Sequence, residues 1–293
     1  LEFDGIKILS YGKPDLDKEL ISCVQSYRTG DMYQRSRIDR TYKRYSQMGV
    51  FRSTTIQLLP RENQVNQKIH ILDTHVRLTP EKKQTFFFYP HITNRSSNMG
   101  IYSNLTYTHR NLFCGAEALD FNIISGLEAS QTLAFASADD ENATDQLQRN
   151  FQLNTFEIGP EITYRVPRLW PFGCDFTAQS SDPQTSLSAT FNYQRRPDYQ
   201  RTLSQLRYTY QWIENPDAVS RISIDAVEFS IIKIRKSEAF QSFLDRLQDA
   251  FLENSYQDHL ILATNINYVL NTQRAKFQRQ YFYLRLGGSA AGN

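Results

Sequence analysis

The chain has 293 residues, of which 40% are hydrophobic, 13% aromatic and 22% charged. Its net charge of +2 is small, and Lys and Arg are spread along the sequence without a basic block, which argues against nucleic acid as a partner. The mean hydropathy is −0.54 and no run of 18 apolar residues occurs, so no transmembrane helix is predicted. A protein that crosses a membrane with alternating strands is still compatible with these values.

The first 80 residues are predicted to form a small α/β unit of order β-α-α-β-β. Gly30 and Gly49 are helix stop signals, and Ser36 is placed to cap the second helix. Apolar residues recur at helical spacing before each stop and at shorter spacing in the flanking strands. The predicted elements are a strand at residues 3–10, helices at residues 16–27 and 36–48, and strands at residues 51–59 and 69–78.

From Gln84 onward the pattern changes to strict alternation. Between Phe156 and Val166, for example, apolar residues occupy the even positions and polar residues most of the odd ones. Such alternation predicts strands with one face toward an apolar phase and one toward water. Nine strands are predicted, near residues 84–93, 99–109, 117–130, 151–167, 185–195, 201–213, 221–234, 258–271 and 277–286.

Many of these segments are about ten residues or longer, the length that a tilted strand needs to cross a bilayer. The linkers alternate between short and long, as in barrels with short turns on one side and longer loops on the other. The long linker at 235–257 is predicted to carry a helix at residues 238–252, with an apolar stripe. The stripe consists of Phe240, Phe243, Leu244, Leu247 and Phe251.

Both ends of the sequence are interpreted as cut. No signal peptide is visible, the sequence opens at Leu1 rather than Met, and the small-residue tail Gly287–Asn293 follows the last predicted strand and simply stops. Nine strands without a closing partner would leave an open edge in lipid, so the sequence is expected to be a piece of a longer protein.

Six segments together carry a resemblance to a known family. The most specific is residues 106–117, which reads TYTHRNLFCGAE. The others are residues 30–33, 41–52, 72–80, 193–199 and 255–259. This arrangement resembles the BamA/TamA superfamily of outer-membrane assembly factors, also called the bacterial surface antigen family. In that family, periplasmic POTRA domains lead into a 16-stranded barrel.

The resemblance implies a mainly β fold in two parts. Residues 1–80 are expected to be a POTRA-like periplasmic domain, and residues 84–293 the first part of an antiparallel transmembrane β-barrel. The sequence is most similar to the Bacteroidetes type and to its TamA-like lipoprotein branch. The late Arg-Gly-Phe/Tyr motif and the lipidated cysteine of the family are absent from this sequence.

The resemblance also indicates where function resides. The first barrel strand is expected to be a lateral gate to which a client strand adds by β-augmentation. Pro90 lacks an N–H group and must interrupt one hydrogen bond of the ladder, which suits a weak seam. The predicted gate strand comprises Thr85, Phe86, Phe87, Phe88, Tyr89, Pro90, His91 and Ile92, and the first periplasmic turn contains Asn111, Leu112, Phe113, Gly115 and Glu117.

No catalytic, cofactor-binding or metal-binding constellation is predicted, and the protein is not expected to be an enzyme. The five histidines and the loop carboxylates lack the spacing of a catalytic or metal site. Three cysteines, an odd number, argue against a disulfide framework, and Cys23 is expected to pack in a core.

Three functions stay open at this stage. The first is an outer-membrane assembly or translocation factor that inserts or exports β-rich client proteins, with its N-terminal domain in the periplasm. Its expected partners are outer-membrane lipid, nascent β-barrel or secreted clients, and periplasmic or outer-membrane accessory subunits. The second is an outer-membrane transport or secretion pore with a substrate-docking domain. The third is a soluble β-sandwich binding protein preceded by an α/β domain.

Overall fold

The computed structural model describes residues 2–3, 5–10, 16–61, 71–95, 98–134, 148–172, 183–215, 220–273 and 280–292. Over these residues the chain is mainly antiparallel β, which confirms the predicted fold class. None of the described helices is both long and apolar enough to span a bilayer.

The N-terminal elements begin with a short hairpin and two helices. Strands β1 (Glu2–Phe3) and β2 (Ile6–Lys7) pair with each other, so the single strand predicted at 3–10 is wrong. Gly5 between them has φ of +74°, a conformation that glycine adopts readily and that reverses the chain. Helices α1 (Lys18–Val24) and α2 (Arg35–Gln47) follow. Gln34, rather than the predicted Ser36, occupies the N-cap position of α2.

Strands β3 (Phe51–Pro60) and β4 (Leu72–Pro80) form a separate two-stranded antiparallel sheet. The core beside it is built on Tyr45, which is 2% exposed and meets the ring of Phe51 edge-on at 6.0 Å. The buried members of this core are Leu20, Val24, Tyr45, Val50 and Ala116. The predicted linker between the two strands lies largely outside the described residues.

The remaining strands form one nine-stranded antiparallel sheet in which each strand pairs with the next along the chain. The strands are β5 (Gln84–Arg95), β6 (Asn98–Arg110), β7 (Ala118–Ala134), β8 (Gln148–Val166), β9 (Gln184–Arg195), β10 (Tyr199–Asn215), β11 (Ser220–Lys236), β12 (His259–Asn271) and β13 (Tyr283–Gly292). Strands β5 and β13 are the two edges of this sheet.

Eight of the nine predicted strands are confirmed within a few residues, and the last one is displaced. It was predicted at 277–286, whereas β13 (Tyr283–Gly292) runs through most of the glycine-rich tail that was placed after the strand. Gly287 lies opposite Asn267 and Gly292 opposite Leu262 in a continuous register with β12. Backbone pairing with a neighbouring strand needs no large side chain, so apolar alternation alone did not locate this strand.

The two faces of the nine-stranded sheet differ in chemistry. One face is apolar and largely uncovered in the described part of the chain: Ile162 is 48% exposed, Leu206 45% and Leu262 56%. At one end of this face, Trp170 and Phe172 contact Tyr208 and Tyr210. The opposite face carries cross-strand polar pairs. A second stacked sheet, which the soluble β-sandwich interpretation requires, is not found among the described residues.

Two short helices connect β11 to β12. The single helix predicted at 238–252 is instead divided into α3 (Glu238–Leu247) and α4 (Ala250–Ser255). Gln248 adopts a left-handed conformation with φ of 50°, which ends α3. The Asp249 side chain then accepts hydrogen bonds from the N–H groups of Phe251 and Leu252 and starts α4. α3 packs through Phe240 on Tyr199, at the end of the sheet opposite to the β5 N-terminus.

Candidate functional site

Strand β5, the predicted gate strand, is an edge of the nine-stranded sheet. Among the described strands it pairs with β6 alone, over an unbroken register from Gln84 opposite His109 to Arg95 opposite Asn98. Its side chains are unusually exposed for their apolar character: Phe86 is 63% exposed, Tyr89 68% and Ile92 74%. The predicted residues are therefore together on one strand whose second side is open.

The hydrogen bonds at the start of β5 establish which backbone groups face this open side. The Arg110 N–H donates to the Lys83 carbonyl at 2.7 Å, and in the β5–β6 register these two residues are directly opposite. In an antiparallel pair, hydrogen-bonded and non-hydrogen-bonded pairs alternate. Even-numbered residues of β5 therefore direct their backbone groups away from β6. These are Gln84, Phe86, Phe88, Pro90, Ile92 and Asn94, which present six carbonyls and, because one is proline, five N–H groups.

Pro90 belongs to this outward-facing set. It lies opposite Ser103 in a non-hydrogen-bonded pair, so the absent N–H costs the β5–β6 ladder nothing, and the register passes through it without a bulge. The missing donor is instead a gap in the row that a further strand would contact. The structure thus places the predicted interruption on the free edge of β5.

Aromatic side chains occupy both faces of β5. Phe86 and Phe88 lie on the apolar face of the sheet, in line with Tyr107 and Leu105 of β6. Phe87 and Tyr89 lie on the polar face and are 64% and 68% exposed. A strand with apolar groups on both faces and an open backbone edge is well suited to pair with another strand of alternating sequence.

His91 continues this aromatic line on the polar face. Its ring stacks on Tyr102 with centroids 5.6 Å apart, and the Tyr102 hydroxyl donates to Glu128 Oε1 at 2.6 Å. This chain of contacts runs from β5 across β6 to β7. It holds the middle of the edge strand to the sheet through side chains as well as backbone.

The predicted turn at residues 111–117 links β6 to β7 and is held by two side chains. The Glu117 carboxylate, on a residue only 5% exposed, accepts hydrogen bonds through Oε2 from the N–H groups of Phe113 at 3.2 Å and Gly115 at 3.0 Å. Asn111 Oδ1 accepts from the Ala116 N–H at 3.0 Å. The sequence pattern identified these residues but not their roles. The carboxylate of Glu117 and the side-chain amide of Asn111 accept hydrogen bonds from N–H groups that have no backbone partner in this tight turn.

The backbone of this turn is unusual because three non-glycine residues have positive φ. The values are 59° at Asn111, 67° at Cys114 and 57° at Ala116. Residues other than glycine, asparagine and aspartate rarely adopt this conformation. The buried hydrogen bonds therefore stabilise a backbone that the local sequence disfavours.

The turn also contacts the N-terminal elements. The Asp17 N–H, just before α1, donates to the Cys114 carbonyl at 2.7 Å. Ala116 is 2% exposed and belongs to the same buried cluster as Leu20, Val24 and Tyr45. Sequence reasoning missed this role of Ala116, because a lone alanine between glycine and glutamate gives no periodic signal.

The other predicted turn residues are placed differently. Leu112 is partly buried, whereas Phe113 is 71% exposed. Arg110 joins the turn to β5: its Nη1 donates to Thr85 Oγ1 at 3.0 Å and to the Lys82 carbonyl at 3.4 Å. The start of β5 and the turn are therefore brought to the same end of the sheet and connected by one arginine.

The polar face of the sheet holds a ladder of charged and amide side chains. Asp120 of β7 forms an ion pair with Arg165 of β8. Glu228 of β11 accepts from Gln205 at 2.6 Å and from Asn265 at 2.8 Å, and lies 3.4 Å from Arg207. Such pairs satisfy charged groups on a face that is partly buried.

The described residues contain no group of three or more His, Cys, Asp or Glu side chains arranged to hold a metal ion. Cys114 is free and exposed. Cys23 is partly buried and disulfide-bonded, a bond that the odd number of cysteines did not predict.

The fold and this site define a mainly β chain with a two-faced antiparallel sheet, an open aromatic edge and a hydrogen-bonded turn. No family model and no curated protein matches the sequence. Among solved structures, the chain is similar to BamA from Haemophilus ducreyi lacking POTRA domains 1-3, with a TM-score of 0.48 and 10% identity over 95% of this chain and 47% of that one. It is also similar to CdiB from Acinetobacter baumannii, with a TM-score of 0.35 and 9% identity over 95% of this chain and 51% of that one. The chain spans about half the length of each.

Proposed function

We propose that this protein is an outer-membrane assembly or translocation factor. In this proposal the nine-stranded sheet is part of a transmembrane barrel wall, and residues 1–80 are a POTRA-like docking domain in the periplasm. Client proteins rich in β-structure add to the free edge of β5. The observation that carries the proposal is the combination of an uncovered apolar face with an open edge strand.

The apolar face fits a bilayer in extent. On β10 it runs from Ser204, level with Phe191 and Ile231, to Trp212, which is eight residue steps or about 27 Å along an extended strand. With the usual strand tilt of about 40°, this spans about 21 Å, comparable to the apolar band of about 25 Å in outer-membrane barrels. Tyr208, Tyr210 and Trp212 gather at one end of this stretch, where an interfacial aromatic girdle is expected.

The energetics favour lipid over water at this face. Full burial of a Phe, Leu or Ile side chain stabilises by about 1.5–3 kcal/mol relative to exposure. Phe86, Ile101 and Leu262 remain 63%, 63% and 56% exposed in the isolated sheet. Monomeric soluble proteins rarely leave a contiguous apolar surface of this kind uncovered.

The edge of β5 supports the client-accepting role. Five outward N–H groups and six carbonyls would lose water on contact with lipid unless another strand satisfied them. The gap at Pro90 limits how tightly any strand of the same barrel can occupy this edge, because one hydrogen bond is always missing. A strand from a client can then compete for the position.

Crosslinking tests this proposal directly. A photoreactive residue at Phe88, which lies on the free edge, is compared with one at Leu206, which lies on the same apolar face between two paired strands. In the full-length protein in cells, we expect client adducts at Phe88 and lipid but no client adducts at Leu206. Equal client yields at the two positions would contradict the edge as the site of client entry.

A transport or secretion pore is the second candidate, and the polar ladder favours it. A face lined by Asp120, Arg165, Arg207 and Glu228 is suited to a water-filled interior. Planar-bilayer conductance separates the two functions. Steady conductance that changes its ion selectivity with Glu228→Gln, without client adducts at Phe88, would support the pore and overturn the assembly proposal.

A further inference from the structure

Among residues with described side chains, three cations interrupt the apolar face of the nine-stranded sheet, and all three are at one end. Arg195 of β9 and Arg235 of β11 lie on either side of Gln200 of β10 in one cross-strand row. Lys233 belongs to the next row, beside Thr202. All three side chains are exposed. We call Arg195, Lys233 and Arg235 the rim cluster.

The charge on this face is one-sided. Among residues with described side chains, the rows of the apolar face contain no Asp or Glu, because the carboxylates of the sheet lie on the polar face. The Asp258 carboxylate, which follows the helices, accepts a hydrogen bond from the Ile234 N–H at 2.8 Å. Within the described part of the chain, no ion pair joins a carboxylate to any residue of the rim cluster.

Aromatic rings frame the rim cluster. Phe156 of β8 lies opposite Arg195, and its ring centroid is 6.3 Å from that of Tyr193. A cleft of about 890 Å³ opens at these strand ends. Its charged lining residues are Arg195, Arg196, Arg235 and Lys236, without a carboxylate among them.

The two rows next to the rim cluster are apolar apart from Ser204 of β10. One contains Phe191, Ile231 and Leu260, and the next contains Leu206, Phe229 and Leu262. A ligand that touches the cations with an anionic group can therefore lay a hydrocarbon chain along the same strands. A lipid combines an anionic group and a hydrocarbon chain in one molecule. A free anion or an acidic peptide has no hydrocarbon chain to contact the apolar rows.

We propose that the rim cluster binds the phosphate headgroup of an anionic lipid in the leaflet that faces away from the N-terminal elements. This inference rests on the proposed membrane function of the sheet. Cations in the middle of a lipid-facing surface are costly, but at its rim they reach the headgroup layer. Each Lys or Arg near an anionic surface adds its own attraction to that surface. Three adjacent cations therefore favour a lipid whose phosphate headgroup has a net negative charge over a lipid without net charge.

The test uses the purified full chain in detergent with short-chain phosphatidic acid as the probe and native mass spectrometry as the readout. The variant Arg195→Gln/Lys233→Gln/Arg235→Gln is compared with Lys43→Gln/Arg52→Gln/Arg77→Gln. The control removes the same charge from exposed residues of the N-terminal elements. We expect lipid binding at least about tenfold weaker in the rim variant and unchanged in the control.

Two further arms separate the alternatives. Floatation with phosphatidylcholine vesicles reports membrane insertion alone: failure of the unaltered chain to insert would overturn the proposed function itself. Normal insertion with equal phosphatidic acid binding by both triple variants would overturn only the lipid site. Inorganic phosphate at millimolar concentration should not displace the lipid. Full displacement would show that the cluster binds phosphate without its lipid, and would also overturn the inference.

Discussion

Glu117 offers the sharpest test of how the turn at 111–117 is stabilised. Its buried carboxylate accepts hydrogen bonds from Phe113 and Gly115, and a hydrogen bond to a charged group contributes about 1.5–3 kcal/mol. Phe113 is 71% exposed, so water can replace part of its bond after substitution. We therefore expect Glu117→Ala to lower the free energy of unfolding by about 2–4 kcal/mol, and Glu117→Gln, which keeps one acceptor, by about half as much.

Gly115 supplies an independent arm of the same test. A Cβ added at Gly115 would overlap the Glu117 carboxylate. We therefore expect Gly115→Ala to displace that carboxylate and to lower the free energy of unfolding about as much as Glu117→Ala does. Because both substitutions remove the same hydrogen bonds, the double variant should be clearly less destabilised than the sum of the two.

Urea unfolding of the detergent-folded chain, followed by circular dichroism, measures these differences. Hydrogen exchange at the Gly115 amide reports the local effect. Glu253→Ala, at an exposed position in α4, is the matched control. The carboxylate does not stabilise the turn if the free energies of unfolding of Glu117→Ala and of this control differ by less than about 0.5 kcal/mol. The same conclusion follows if the destabilisation of the double variant equals the sum of the two single effects.

Three other expectations follow from the sheet. Pro90→Ala restores a donor on the outward row of β5, which adds one hydrogen bond of about 1 kcal/mol to the barrel strand that must leave this edge before a client enters. That opening, and with it client assembly in a reconstituted insertion assay, should slow about fivefold, and unchanged rates would argue against that edge. Glu228→Ala leaves Gln205, Arg207 and Asn265 without their shared acceptor. It should lower the free energy of unfolding in urea by about 2–4 kcal/mol, whereas the exposed control Glu238→Ala should lower it by only a few tenths. Cys114→Gly relieves a positive φ of 67° and should raise the unfolding free energy by about 0.5–1 kcal/mol; a loss of stability would show that this backbone is not strained.

The long strands could be predicted from the sequence because each has one apolar and one polar face, as in Phe156–Val166. Alternation fails where side chains are small, so β13 was displaced by several residues. It also cannot detect a break such as the left-handed Gln248 inside an otherwise apolar helical stripe. Short segments at the N-terminus gave too few apolar positions to separate one strand from a hairpin.

The candidate site was predictable in part for similar reasons. The residues of the gate strand and of the turn could be listed from the sequence, but the direction of each backbone group depends on the pairing register with β6. The rim cluster was not predicted at all. Arg195, Lys233 and Arg235 are distant in sequence or separated by one residue, and only strand pairing puts them side by side.

The contact between the turn and α1 has a mechanical consequence. Ala116 sits inside the core of the N-terminal elements while the residues on either side of it belong to the hairpin of β6 and β7. A rotation of the N-terminal elements relative to the hairpin would have to remove the Ala116 methyl group from this core. It would also have to break the hydrogen bond from the Asp17 N–H to the Cys114 carbonyl. Force applied to α1 is accordingly transmitted to the second and third strands of the sheet, one strand away from the open edge.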